Sequence, residues 1–464
     1  MSLSRKHFLK QAGALSLGFS GLHMLSNLTS TGKTPHELIT EPFGALQADP
    51  AEIFNLPEGF SYKIISRFGD PMDDGLKVPH RPDGMATFPG PDGTTILIRN
   101  HEVNAAKGGA ESAFGENFEL ADNINLEDLY DPGHDNPGQG GTTTVVYDTE
   151  TQEVVREFLS LGGTIRNCAG GPTPWNSWLS CEEFVSEPDD VYAKRHGYVF
   201  EVPASTEMGL ASPTPIKAMG RFNHEAVAVD PKSNVIYLTE DDSESLLYRF
   251  IPDTPGQLLN GGTLQALAVR NRPSLDTRNW ESRTVEVGNT MEVEWVDLEE
   301  VDSPDDDLRY RGFDDGAARF ARGEGMWYGN EAVYFACTNG GPEELGQIWK
   351  YTPSPEEAKP GEAGQPGKLE LFVESMDSAI IENADNLTVA PWGDLIVCED
   401  TGEKQDLNGI TPEGNVYKLG RNAQSNSELA GATFSPDGST LFMNIQHSGI
   451  TLAITGPWNK KRQG

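Results

Sequence analysis

ADNLTVAPWGDLIVCED, from Ala384 to Asp400, is two short apolar arms joined by a turn at Pro391, Trp392, Gly393 and Asp394. Apolar residues alternate along each arm and the turn carries residues that reverse a chain, so the stretch reads as a β-hairpin. The phrase returns as DGMATFPGPDGTTILIRNHE from Asp83, CAGGPTPWNSWLSCEE from Cys168, HEAVAVDPKSNVIYLTE from His224, GEGMWYGNEAVYFACTN from Gly323 and ELAGATFSPDGSTLFMNIQ from Glu428. In four copies the leading and trailing residues lie fifteen apart: Cys168 and Glu183, Glu225 and Glu240, Glu324 and Asn339, Asp385 and Asp400. A hairpin of this size cannot bury a core alone, and radial stacking of six such units around an axis solves the problem. The sequence therefore predicts an all-β protein, a six-bladed β-propeller with long inter-blade loops, filling residues 50–458 as one domain. Uneven spacing of the copies assigns Asn104–Gln139 and Gln257–Asp315 to loops that cover one face.

Composition agrees with this reading. A hydrophobic content of 37% with 50 Gly and 31 Pro suits many short strands and tight turns better than helices. The balance of 35 basic against 71 acidic residues gives a net charge of −36, which opposes nucleic-acid binding and favours solubility or cation capture. Most of these carboxylates belong to a solvated surface; only those leading the repeats escape that account.

Residues 1–30 have the form of an export signal, with basic residues in SRKHFLK ahead of the small and apolar run QAGALSLGFSGLHML. The string is similar to a twin-arginine signal, with Lys6 where the second arginine belongs. Residues 31–49 then form a linker and 459–464 a basic tail. No other segment is long and apolar enough to span a bilayer. These features predict a periplasmic or secreted protein, a monomer without stable membrane insertion.

Four cysteines could form two disulfides in an oxidising compartment. Cys181, Cys337 and Cys398 end outer arms, where a buried small residue is expected. Cys168 differs, because it replaces the acidic leading residue of its repeat. Equivalent positions near a propeller axis converge, so Cys168, Glu225, Glu324 and Asp385 would meet in one small volume. Carboxylates crowded there repel one another and lose hydration unless cations neutralise them. A thiolate suits a transition metal and carboxylates suit calcium; the competing account has these acids pinning blades together through backbone amides. Arg166 and Arg322 each lie two residues before a candidate ligand and would share a strand face with it. Metals flanked by guanidinium groups make a phosphate receptor. His101 and His224, in two N-H-E strings, read as structural histidines, whereas Glu102 is a ligand candidate. SPDGS at Ser435–Ser439 and DPKSN at Asp230–Asn234 read as turns.

These residues resemble the PhoX alkaline phosphatases. The resemblance lies in RNCAGGPTPW at Arg166–Trp175, CEE at Cys181–Glu183, NHE at Asn223–Glu225 and R-x-E-G at Arg322–Gly325, within a span from Pro50 to Trp458. It implies a six-bladed propeller holding Fe3+ and Ca2+ and releasing phosphate from small phosphate esters, with no side-chain nucleophile. By the same motifs it implies Cys168, Glu183, Glu225 and Glu324 as metal ligands and Arg166 and Arg322 as phosphate binders, with Asp385 and Asp400 as further calcium ligands by repeat position. Two other classes fit the repeats: a calcium-dependent propeller lactonase or related ester hydrolase, and a non-catalytic binding propeller. Neither requires Cys168 or the paired arginines.

Overall fold

The computed structural model of the protein describes residues 42–104 and 109–459. The predicted export signal, most of the linker and all but the first residue of the basic tail lie outside these residues.

Each repeat forms the inner hairpin of a sheet. The innermost strands are Pro82–Pro89, Asn167–Pro172, His224–Val229, Gly323–Gly329, Ala384–Val389 and Leu429–Phe434. They neighbour one another in chain order, and the last packs against the first, closing a propeller-like ring. Apolar cores fill the seams between successive blades. Trp178 and Ile98 share the seam between the first two units, Tyr237 and Trp349 that between the third and fourth, and Tyr147 and Phe442 that between the last and the first. Burial does not alternate along these strands: His224–Val229, Ala332–Cys337 and Thr440–Ile445 are buried throughout, because both faces of each sheet are covered.

Ring closure is also a matter of hydrogen bonds. Ser61–Arg67 pairs antiparallel with Ile450–Thr455, so an N-terminal strand completes the last blade. This joins the two ends of the propeller in one sheet and covers an edge that would otherwise template aggregation.

Two stretches depart from the sequence reading. Gln257–Asp315 is not simply a loop. It holds the strand Gly262–Val269, which pairs within the third blade, and the strand Thr290–Asp297, which bridges that blade to Lys368–Glu374 of the fourth. It also holds Leu308–Asp314, the one α-helix among the described residues. Order likewise begins before residue 50: Leu46–Gln47 pairs with Phe54–Pro57, and Phe43 sits among Phe60, Trp392 and Trp458. The other long insertion covers its own satellite core, with Phe114 and Leu129 packed on Met72, Leu76 and Leu159.

Small residues let the inner strands approach at the axis. A Cβ on Gly325 would lie 2.6 Å from both the Asn386 Cα and the Asp385 carbonyl oxygen, backbone atoms that cannot turn aside. Gly325→Ala should therefore destabilise the protein by about 1–3 kcal/mol, as overpacked cores do. Chemical denaturation measures this, and an unchanged midpoint would show that the blades are not in close register there.

Candidate metal centre

The side chains aimed at the axis come from a repeated irregularity. In every inner hairpin the register skips near its start: Pro82 faces His101 and then Met85 faces Arg99, Asn167 faces Glu182 and then Gly170 faces Ser180, with the same break after the first pair at His224, Gly323 and Ala384 and after the second pair, at Ala430, in the last blade. Such a bulge bends the strand and re-aims the side chain it releases. The released positions are Asp83, Cys168, Glu225, Glu324, Asp385 and, in the last blade, Gly431. A side chain at Gly431 would strike the Asp83 carbonyl, and its φ of +65° favours glycine. There Glu428, just upstream, supplies the carboxylate instead.

A second set of groups arrives from the far arm. The N–H groups of Glu102, Glu183, Asp241, Thr338 and Asp400 donate to the carbonyls of Arg81, Arg166, Asn223, Arg322 and Asn383, at 2.9–3.1 Å. These five trailing residues are therefore equivalent. The constant spacing of fifteen is corrected here: the third blade contributes Asp241 rather than Glu240, and the fourth Thr338 rather than Asn339, because the hairpin turns differ in length. Glu240 instead lies buried against the Tyr248 hydroxyl at 2.6 Å and Arg309 at 3.1 Å.

Together the two sets make four interlocking groups, each with donor atoms within 4.8 Å of one another: Cys168, Glu183 and Glu225; Glu225, Glu324 and Asp385; Asp385, Asp400 and Glu428; and Asp83, Glu102 and Glu428. Every candidate ligand named from the sequence falls in one of them. Asp83 and Glu428 join as additions, although both were visible as the leading residues of the first and last repeats. The donor chemistry divides the groups. One holds a thiol with two carboxylates, which fits a transition metal, and three are all-oxygen, which fits a hard cation such as calcium.

Arg166 and Arg322 border these groups, but not through a regular strand face. Each immediately precedes a bulged strand in the left-handed region, at φ of 43° and 48°. Arg166 Nη2 donates to Glu102 Oε1 and Glu183 Oε2, both at 2.6 Å. Arg322 grips Asp241 with Nε and Nη2 at 2.7 and 2.8 Å and reaches Glu324 at 2.9 Å. Both side chains remain about a third exposed, at 32% and 38%, so their guanidinium groups meet the carboxylates on one side and solvent on the other.

Burial disfavours charge on the deeply buried members of the cluster. It pushes the carboxyls of Asp83, Glu183, Glu225, Glu324 and Glu428 well above the usual range, with neighbouring carboxylates adding to the effect. Asp385 is pushed up to about 7. Burial, with Glu225 and Glu183 nearby, likewise raises the Cys168 thiol, whose Sγ lies 3.3 Å from the His224 carbonyl oxygen. At ~5 Å and an effective dielectric constant of about 20, each pair of like charges repels by about 3 kcal/mol. A bound cation reverses that balance and holds the ligands deprotonated.

His101 and His224 lie outside the four groups. His101 is buried between the His80 carbonyl oxygen and the Thr143 hydroxyl, each at 2.9 Å. His224 stacks on Phe222, and burial lowers its pKa to about 3. All four cysteines are buried and free, so the two possible disulfides are not formed.

The raised carboxyls set a pH dependence. With a folded value of about 7 against an ordinary 3.8, Asp385 holds in the metal-free fold a proton that the unfolded chain has released. Metal-stripped protein therefore loses stability as pH rises from about 4 through 7, and the other raised carboxyls act in the same direction. Thermal unfolding in chelator should give a Tm that falls between pH 5 and 8, with calcium restoring it most at the alkaline end. A chelated Tm that stays level or rises would contradict this electrostatic picture.

The profile of the alkaline phosphatase PhoX family matches residues 41–449. Among solved structures, Pseudomonas fluorescens PhoX in complex with vanadate, a transition state analogue, superposes with a TM-score of 0.63 at 18% identity, covering 91% of this chain and 98% of that one. A gluconolactonase from Xanthomonas campestris is more distant, with a TM-score of 0.38 at 13% identity over 89% of this chain and 98% of its own. No curated protein sequence matches. With the family profile running from before the first blade into the last, the chain belongs to the PhoX alkaline phosphatase family, whose members are phosphomonoesterases.

Proposed function

We propose that the axial groups bind Fe3+ at Cys168, Glu183 and Glu225 and Ca2+ at the all-oxygen groups, and that Arg166 and Arg322 hold the phosphoryl group of a small phosphate ester. The observation that carries this reading is the single thiol set among buried carboxylates, with two half-buried guanidinium groups already tied to the same acids. When bound, the metals supply Lewis-acid polarisation and an oxygen nucleophile for in-line displacement at phosphorus.

The chain's own residues do the rest. The guanidinium edges of Arg166 and Arg322 that these carboxylates leave free orient two equatorial oxygens and stabilise the charge that builds on them as the leaving group departs. Asp241 fixes the plane of Arg322 through two parallel hydrogen bonds. Glu102 and Glu183 fix Arg166 from two sides. A calcium-only ester hydrolase has no use for the thiol or for these forks.

The same reading has the protein act as a monomer in the periplasm or outside the cell, exported through its twin-arginine-like N-terminus. Among the described residues no helix is long and apolar enough to cross a membrane.

Cys168→Ala should leave a folded propeller that has lost iron and nearly all phosphatase activity, checked by elemental analysis beside turnover of p-nitrophenyl phosphate. An active, iron-loaded variant would sink the thiolate assignment. Arg322→Ala should keep its metals and lose about 10²–10³-fold in kcat, as when one transition-state donor is removed; unaltered turnover would rule out the clamp.

A further inference from the structure

A third arginine occupies the place held by the two proposed phosphate binders. Arg81 immediately precedes the bulged strand of the first blade, as Arg166 and Arg322 do in theirs, and shares their left-handed backbone, at φ of 48° beside 43° and 48°. Its carbonyl accepts the Glu102 N–H at 2.9 Å, repeating the contacts of Arg166 with Glu183 and Arg322 with Thr338.

The backbone alone does not call for arginine here. Left-handed geometry favours glycine or asparagine, and asparagine fills the equivalent position of the fifth blade, Asn383, at φ of 46°. Arg81 also precedes Pro82, which disfavours helical conformations of the residue before it. Arginine at a position with this preference points to a requirement for its side chain.

The placement of that side chain suggests the requirement. Arg81 Nη1 lies 3.6 Å from Glu102 Oε2, while Arg166 takes Oε1 of the same carboxylate at 2.6 Å, so one carboxylate separates the two guanidinium groups. On its other side Arg81 Nε is 3.7 Å from Glu111 Oε2. Both contacts are longer than hydrogen bonds, and the side chain is 19% exposed.

Resting on the phosphatase reading above, we propose that Arg81 is a specificity-determining residue that binds a second anionic group, a carboxylate or phosphate carried by the leaving group of the ester. Arg166 and Arg322 hold the reacting phosphoryl group. Arg81, displaced from Arg166 by the width of Glu102, reads what is attached to it.

The test compares two esters that differ in one charge, 3-phosphoglycerate and glycerol 3-phosphate, with metal content measured on each protein. The wild-type protein should favour 3-phosphoglycerate. Arg81→Gln should lower the ratio of the two kcat/KM values about tenfold, chiefly through KM for 3-phosphoglycerate, with metal content retained and Arg81→Lys recovering part of the preference. Hydrolysis of both esters with an unchanged ratio would overturn the role of Arg81 alone. Equal losses on both esters with loss of metal would make it a structural residue and also overturn the proposal. Failure of the metal-loaded wild-type protein to hydrolyse either ester would overturn the phosphatase reading itself, and this proposal with it.

Discussion

Mutual repulsion among buried acids at the axis is the constraint on which the rest of the molecule turns. Each blade that delivers a carboxylate or thiol to that volume makes the metal-free fold harder to hold. The propeller tolerates this because its cohesion lies elsewhere, in the apolar seams between blades and in the N-terminal strand that closes the last sheet. Stability is spread over the periphery, and the centre is left free to carry charge.

The bulge converts this architecture into a site. A regular strand would alternate its side chains between the faces of the sheet, sending them into the seams. One skipped register per hairpin releases a single residue toward the axis. Four of the residues that precede these bulged strands, Arg81, Arg166, Arg322 and Asn383, are twisted into left-handed geometry, and three of those four are arginine. Strain of this kind is held in place by its surroundings and gathers at functional sites.

Much of this was legible in the sequence, for identifiable reasons. Alternation and turn chemistry are local, so the six hairpins could be read directly, and the odd cysteine among acidic leading residues marked the axis. The equivalence of Asp241 with Glu183 could not be read, because turn length varies and only hydrogen-bond register fixes which residue trails the bulge. Gly262–Val269 and Thr290–Asp297 were hidden within an apparent loop, since neither repeats the hairpin phrase. Arg81 carries no such local signal, because it stands before Pro-Asp-Gly and not in the R-N-C or R-x-E-G strings that mark Arg166 and Arg322.

The central claim is that Cys168 joins Glu183 and Glu225 in holding iron at the axis. Anomalous diffraction at the iron edge, on crystals of the protein as purified, tests it most directly. The account predicts a peak within bonding distance of Cys168 Sγ and of both carboxylates, with calcium density in the all-oxygen groups. Calcium at every position, with the thiol bound to nothing, would contradict it.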